Sequence, residues 1–342
     1  MRSVFYLAMW SIFLLLGCQK VEITISENAF DHFFLKNDEA EMPVWVEGNT
    51  ASKTFVIFLH GGPGGSSIGY NELNVFSVLE EKYGLVYWDQ RCAGASQGNC
   101  NSGSLTVESY VKDVDKLISV LKFRYGSNLS IFLLGDSWGS TLATAYMTTD
   151  DFQQNLKGVI ATVGVHNFPL WMQSKKNILE YYGNQQISLG NRVNEWQNII
   201  GDISKVDLTK IEGLNTLQKY GYQAQQYLEE IDSIKSITLS GGKPNSLGFS
   251  FVVNNLVTSN VMWPQLLTLD LSPRLSKVNI PVALYYGKYD FVVPPAVGVD
   301  FYNSLNTKKE IFIFAHSDHN LGISNGIDLY QEKVVKFIET YK

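Results

Sequence analysis

The 342-residue sequence predicts an α/β fold: a mostly parallel central sheet with helices on both faces and an inserted, mainly helical lid. Three observations carry this. From about residue 30, short apolar runs alternate with amphipathic stretches. The inner runs are nearly continuous in Val, Ile, Leu and Phe, the pattern of parallel strands buried on both faces. The alternation stops over 167–276 and then resumes.

In chain order the strand candidates are 32–36, 43–47, 54–60, 84–90, 129–136, 156–165, 281–287 and 310–316. Between the fourth and fifth, Val107, Val111, Val114, Leu117, Ile118 and Leu121 recur at helical spacing, so a helix crosses there. A second helix is predicted from Ser137 to about Thr149, and a last one over about 327–341. Strand–helix alternation of this kind builds a parallel sheet with crossover helices. Residues 167–276 hold Trp171, Tyr181, Tyr182, Trp196, Tyr220, Tyr222, Tyr227, Phe249, Phe251 and Trp263 on a mainly helical pattern. Sheet strands resume at 281, so this stretch reads as a lid inserted into one core and not as a C-terminal domain. The core is then 31–166 and 277–342, with the lid at 167–276.

Composition narrows the function. At 45% hydrophobic and 18% charged, the chain is neither disordered nor fibrous. A net charge of −6 excludes nucleic acid as a partner, because phosphates demand a basic surface. Three cysteines are too few for a disulfide scaffold and lack metal-ligand spacing; the side chains and backbone donors identified below suffice for the chemistry, so neither a metal nor an organic cofactor is expected.

The amino end, MRSVFYLAMWSIFLLLGC, places one Arg before an apolar run too short to span a bilayer. Its close, Leu15-Leu16-Gly17-Cys18, resembles a bacterial lipobox. Residues 1–17 are then an export signal, Cys18 the lipidated new terminus, and 18–30 a tether. The expected location is the bacterial cell envelope, with the membrane contacted through lipid at Cys18. In that oxidising space Cys92 and Cys100, separated by seven residues, several of them small or polar, are expected to form a loop disulfide.

Gly135-Asp136-Ser137-Trp138-Gly139 fits G-x-S-x-G, and its setting makes it specific. It follows the apolar run IFLLG and precedes the helical STLATAYM, the strand–turn–helix context of a nucleophile elbow. Ser137 is the candidate nucleophile. Five histidines could serve as base: His32, His60, His166, His316 and His319. Catalytic groups in such sheets lie beyond the carboxyl ends of strands, which favours His316 and His319. His319 reaches further into its loop and is preferred, with His316 in a supporting role. His60 opens a glycine loop and is better used to shape it. Asp290, just after the strand PVALYYG, is the candidate acid, completing the order Ser, Asp, His. Asp136 and Asp318 read as bystanders. The loop His60-Gly61-Gly62-Pro63-Gly64-Gly65 would present the Gly62 N–H (or that of Gly61) to an oxyanion, with the Trp138 N–H as second donor.

Together HGGPG at 60–64, Asp89-Gln90-Arg91-Cys92-Ala93-Gly94-Ala95-Ser96 and Gly135-Asp136-Ser137-Trp138-Gly139-Ser140 resemble the proline iminopeptidase branch of the α/β-hydrolases. Gly287 to Asp290 with Pro294 resembles that branch's acid segment, and His316-Ser317-Asp318-His319 its H-S-G-H. Among the departures, Cys92 and Asp136 stand where the branch carries glycine. The resemblance implies a serine aminopeptidase that releases an N-terminal residue from small peptides. Peptide or ester substrates are the expected partners, and a carboxylesterase, lactonase or amidase is the alternative. A non-catalytic binding lipoprotein is the alternative of another class. In iminopeptidases acidic lid residues are expected to hold the substrate amine. Here residues 167–276 carry nine acids and nine bases with no motif among them, the composition of solvated helix surface.

Overall fold

The computed structural model describes residues 30–72, 75–98, 102–229, 248–321 and 326–342. The expectations for the export segment, Cys18 and Cys100 lie outside these residues.

Nine strands form one sheet. They are β1 (Asp31–Asn37), β2 (Ala40–Gly48), β3 (Thr54–Leu59), β4 (Gly84–Trp88), β5 (Gln97–Gly98), β6 (Ser130–Asp136), β7 (Gly158–Thr162), β8 (Val282–Gly287) and β9 (Lys309–Phe314). The order is β1-β2-β4-β3-β6-β7-β8-β9, with the short β5 beside β2. Every neighbouring pair from β4 to β9 is parallel. The first strands are antiparallel: β1 and β2 form a hairpin closed where Asn37 faces Ala40, with Asp38 at φ 51° in the turn. All eight predicted strands are present, and β5 is an addition that two residues could not signal.

Burial explains the patterning. TFVIFL, GLVYW, GVIAT and VALYYG are buried at every position. At the edges, burial alternates along β1 and covers β9 only in part.

Short helices α1 (Ile68–Glu72) and α2 (Ser77–Glu80) follow β3, and α3 (Val107–Tyr125) crosses from β4 to β6. Thr106 caps α3 by accepting from the Ser109 N–H at 3.2 Å, and Gly126, at φ 109°, ends it. The buried stripe of α3 contains five of the six predicted apolar positions, Val111 to Leu121, and Val107 packs at its margin. Helix α4 (Trp138–Met147) packs on β3, β6 and β7 and is buried along its whole length.

Between β7 and β8 lie α5 (Phe168–Ser188), α6 (Val193–Ile203), α7 (Ile211–Glu229), α8 (Gly248–Leu266) and α9 (Ser272–Leu275). The chain leaves the sheet and returns to it side by side. Phe168 N–H donates to Leu269 O at 2.9 Å, and Leu271 N–H donates to His166 O at 2.8 Å. Such a stem is the geometry of an insertion, since one point of the core serves as both exit and entry. Then α10 (Pro295–Ser304) and α11 (Ile327–Tyr341) complete the chain.

Candidate active site

Ser137 sits between β6 and α4 at φ 53°, ψ −114°, a conformation that L-residues avoid. The turn around it is over-determined. Ser137 N–H donates to Thr162 O at 2.9 Å, and the Ser140 hydroxyl contacts both Gly135 O (2.7 Å) and Thr162 O (2.8 Å). Both motif glycines are steric requirements. A Cβ on Gly139 would lie 1.8 Å from Leu59 O, and one on Gly135 would lie 2.5 Å from Ser140 N. Gly139→Ala is therefore expected to destabilise the protein by about 4 kcal/mol or more, because the clash is with backbone that cannot move aside. Urea unfolding checks this; a loss under about 1 kcal/mol would mean that α4 can shift away from β3.

Asp290 follows β8 and is fully buried. Its Oδ1 accepts the Val292 and Val293 N–H groups at 2.8 and 2.7 Å. Its Oδ2 pairs with His319 Nδ1 at 2.8 Å. This leaves His319 Nε2 for a partner in the cavity of about 320 Å³ that His319 and Ser137 both line. Burial disfavours the His319 imidazolium, but Asp290, by charge and hydrogen bond, and then Asp136 and Asp318 outweigh it. The pKa therefore stands above the ordinary 6.5. His316 is exposed and takes no part in the cavity, which corrects the supporting role expected for it.

Gly61, Gly62 and Trp138 line the same cavity as Ser137 and His319, so the expected oxyanion donors and the candidate nucleophile are brought together. The loop that carries the two glycines is held from below by the second motif. Asp89 Oδ1 accepts from Ser66 Oγ, Ser67 N and Ser67 Oγ at 3.0, 2.7 and 3.1 Å, and Asp89 Oδ2 accepts from Ala95 N at 2.8 Å. Gln90 ties three parts together: its N–H donates to His60 Nε2 (3.1 Å), its Nε2 to His60 O (3.2 Å), and its Oε1 accepts from Trp138 Nε1 (2.8 Å). His60 Nδ1 then donates to Gly61 O at 2.8 Å, so His60 is a buried neutral brace, as expected. Burial lowers its pKa, against the pull of Asp89. Arg91 makes a two-pronged ion pair with Asp113 of α3, at 2.5 and 2.6 Å, both side chains almost wholly buried.

The other wall of the cavity is apolar: Val165, Phe168, Trp171, Trp263, Leu266 and Val292. Trp171 and Trp263 stack with centroids 5.9 Å apart. Most of this wall belongs to the helical insertion, which is fastened to the motif loops by side chains that sequence reasoning missed. Trp171 Nε1 donates to Val292 O at 2.7 Å, and Lys175 Nζ to Phe291 O and Val292 O at 3.0 and 3.1 Å. Gln225 donates to Asp318, Ser259 to Pro63 O at 3.1 Å, and Thr258 to Cys92 O. Lys175 gave no signal in the sequence because a lysine on a helix is ordinarily solvated. Here burial pulls its ammonium down to about 8, with Asp290 pulling the other way.

Comparison with known proteins agrees with this geometry. The family described as serine aminopeptidase, S33 matches residues 50–185. A proline iminopeptidase of Heyndrickxia coagulans is 25% identical over 277 residues, 78% of this chain and 84% of its own. Among solved structures, a proline iminopeptidase of Mycobacterium smegmatis superposes with a TM-score of 0.62 at 15% identity, covering 91% of this chain and 98% of that one. An esterase from Exiguobacterium antarcticum superposes with a TM-score of 0.56 at 18% identity, covering 90% and 98%. The chain is an α/β-hydrolase.

In this hydrolase the mostly parallel sheet is as the sequence predicts, and Cys92 is disulfide-bonded, while Cys100, its expected partner, lies outside the described residues. Among the described residues no group of His, Cys, Asp and Glu is placed to hold a metal ion. Asp136, read as a bystander, is part of the cavity wall, its Oδ2 accepting from Tyr70 OH at 2.9 Å.

Proposed function

We propose that this α/β-hydrolase is a serine aminopeptidase of the proline iminopeptidase kind, exported and lipid-anchored at Cys18. Ser137 Oγ attacks the carbonyl carbon of the substrate's first residue. His319 Nε2 takes the serine proton and returns it to the leaving amine, while Asp290 on Nδ1 fixes the tautomer and steadies the imidazolium. The N–H groups of Gly62 (or Gly61) and Trp138 receive the oxyanion. The observation that carries this reading is the single cavity shared by Ser137, His319, Gly61, Gly62 and Trp138, with the Asp290–His319 hydrogen bond behind it. The match to the serine aminopeptidase family and the curated relative support the choice of amide substrates. The aromatic wall suits an apolar first residue, since stacked indole rings offer a flat face and no charge.

A second reading is an esterase for a small apolar acyl group. It is favoured by the uncharged face that the insertion turns to the cavity: Phe168, Trp171, Gln218, Tyr222, Trp263 and Leu266. A panel of prolyl, alanyl and leucyl arylamides beside short p-nitrophenyl esters separates the two. Turnover of arylamides supports the aminopeptidase, whereas turnover of esters alone selects the second reading. Fluorophosphonate labelling of wild type but not of Ser137→Ala tests both against a non-catalytic binding protein.

Because His319 must be neutral to accept a proton, its raised pKa sets the acid limb of kcat/KM above pH 6.5. The same shift acts on stability with a definite sign. The pairing of charged His319 with Asp290 contributes fully below 6.5 and is lost as pH rises through the folded-state pKa. A limb below 6 in the pH profile would show that another group is the base.

A further inference from the structure

We propose that Asp136 is the receptor for the substrate's free amine, oriented by Tyr70. This rests on the aminopeptidase reading. In an N-terminal residue the amine nitrogen and the reacting carbonyl carbon share one Cα, which places them about 2.5 Å apart. Whatever reads the amine must therefore stand in the cavity beside the nucleophile and cannot stand at its outer rim.

Among the described residues lining that cavity, Asp136 is the one acidic side chain. Its place is fixed by covalent connection to Ser137 and by the end of β6. Asp136 Oδ2 and Ser137 Cβ both lie within 3.4 Å of one point, where a Cβ on Gly61 would fall. Carboxylate, nucleophile and oxyanion loop thus meet. Oδ2 accepts from Tyr70 OH at 2.9 Å, while Oδ1 has no hydrogen bond from any described residue. The ionisable groups facing it are Tyr70, His319, Asp290 and Tyr330, none a permanent cation. Burial raises the Asp136 pKa for want of such a cation, only partly offset by His319 and Tyr70.

This arrangement makes the amine a condition of turnover. An anionic Asp136 with no counter-charge opposes the negative charge that develops on the carbonyl oxygen nearby. An ammonium docked on Oδ1 neutralises it and adds a charge-assisted hydrogen bond at the same time. An acyl group without an amine leaves this half-buried carboxylate without a counter-charge, the costly half of such a site. No acid of the described part of the insertion lines the cavity, so none there competes for this role.

The test compares alanyl and propionyl arylamides, which differ only in the amine. Wild type is expected to favour the alanyl substrate by about 100-fold in kcat/KM. Asp136→Asn is expected to reduce that ratio at least tenfold, through KM for the alanyl substrate. In wild type the ratio should also fall as pH rises through the amine's own pKa, near 8. Because titration of His319 affects both substrates alike, it cancels in the ratio. A ratio unchanged in Asp136→Asn overturns the inference while leaving the aminopeptidase intact. If that variant does not fold, a wild-type ratio that stays flat with pH overturns it equally. Wild type that ignores the alanyl arylamide but cleaves esters overturns the aminopeptidase reading, and the inference with it.

Discussion

Replacing Ser137 with Ala is expected to lower kcat by about a million-fold with the fold retained, the scale seen when a serine nucleophile is removed. The elbow persists because its hydrogen bonds come from the backbone of residue 137 and the hydroxyl of Ser140, not from the Ser137 side chain. Ser137→Gly separates strain from chemistry. At φ 53° glycine has no Cβ to accommodate, so this variant should be as inactive as the alanine one yet more stable than wild type by about 1 kcal/mol. Urea midpoints and turnover of the best arylamide measure both effects. Residual activity above about 1% of wild type in either variant would place the nucleophile elsewhere.

The second large effect concerns a residue remote from the reacting atoms. Asp113→Ala removes the carboxylate that pairs with Arg91 through two charged hydrogen bonds, and both side chains lie in the interior. Among the described residues, the guanidinium that remains has the Ser104 carbonyl alone, at 3.0 Å, to accept from it. Breaking such a buried pair from one side costs about 3–5 kcal/mol. Removing both charges, as in Arg91→Met with Asp113→Leu, should cost less than the single change, because no uncompensated charge is left. If the single and double variants unfold at the same denaturant concentration, the pair does not act as a unit. Activity is expected to suffer beyond stability. Arg91 adjoins Gln90 in the chain, and Gln90 braces both His60 and Trp138.

Those two cases mark where the sequence is legible. Strands such as TFVIFL and VALYYG announce themselves, because burial on both faces admits nothing but apolar side chains. Ser137, Asp290 and His319 were placed by chain order and by the strand each one follows, and the fold brings Asp290 and His319 into direct contact. Asp89-Gln90-Arg91 was recognised as a motif, but its purpose depends on which side chains meet across the sheet. Only the folded chain sets Asp89 against Ser66 and Ser67. Asp136 is hard to read for the opposite reason. Beside a candidate nucleophile an acid looks incidental, and only the folded chain shows that it lines the cavity, with no described residue donating to its Oδ1. The contacts by which Lys175 and Trp171 anchor the insertion have no signature in the pattern, since helical periodicity says which face is covered but not what covers it.

The fastening of the insertion to the motif loops has a consequence for how such an enzyme can change. Trp171 and Lys175 hold the carbonyls of residues 291 and 292, next to the N–H groups that clasp Asp290. Gln225 and Ser259 reach the segments of His319 and of the glycine loop in the same way. Residues that shape the substrate wall are therefore neighbours in chain and space of those that hold the catalytic geometry. Grafting the insertion of a relative onto this core would exchange both properties at once. A chimera that carries foreign residues at 171, 175, 225 and 259 should lose turnover on every substrate, not merely shift its preference. Diversification of substrate range in this scaffold would then proceed by point changes between those four anchors and not by wholesale exchange of modules.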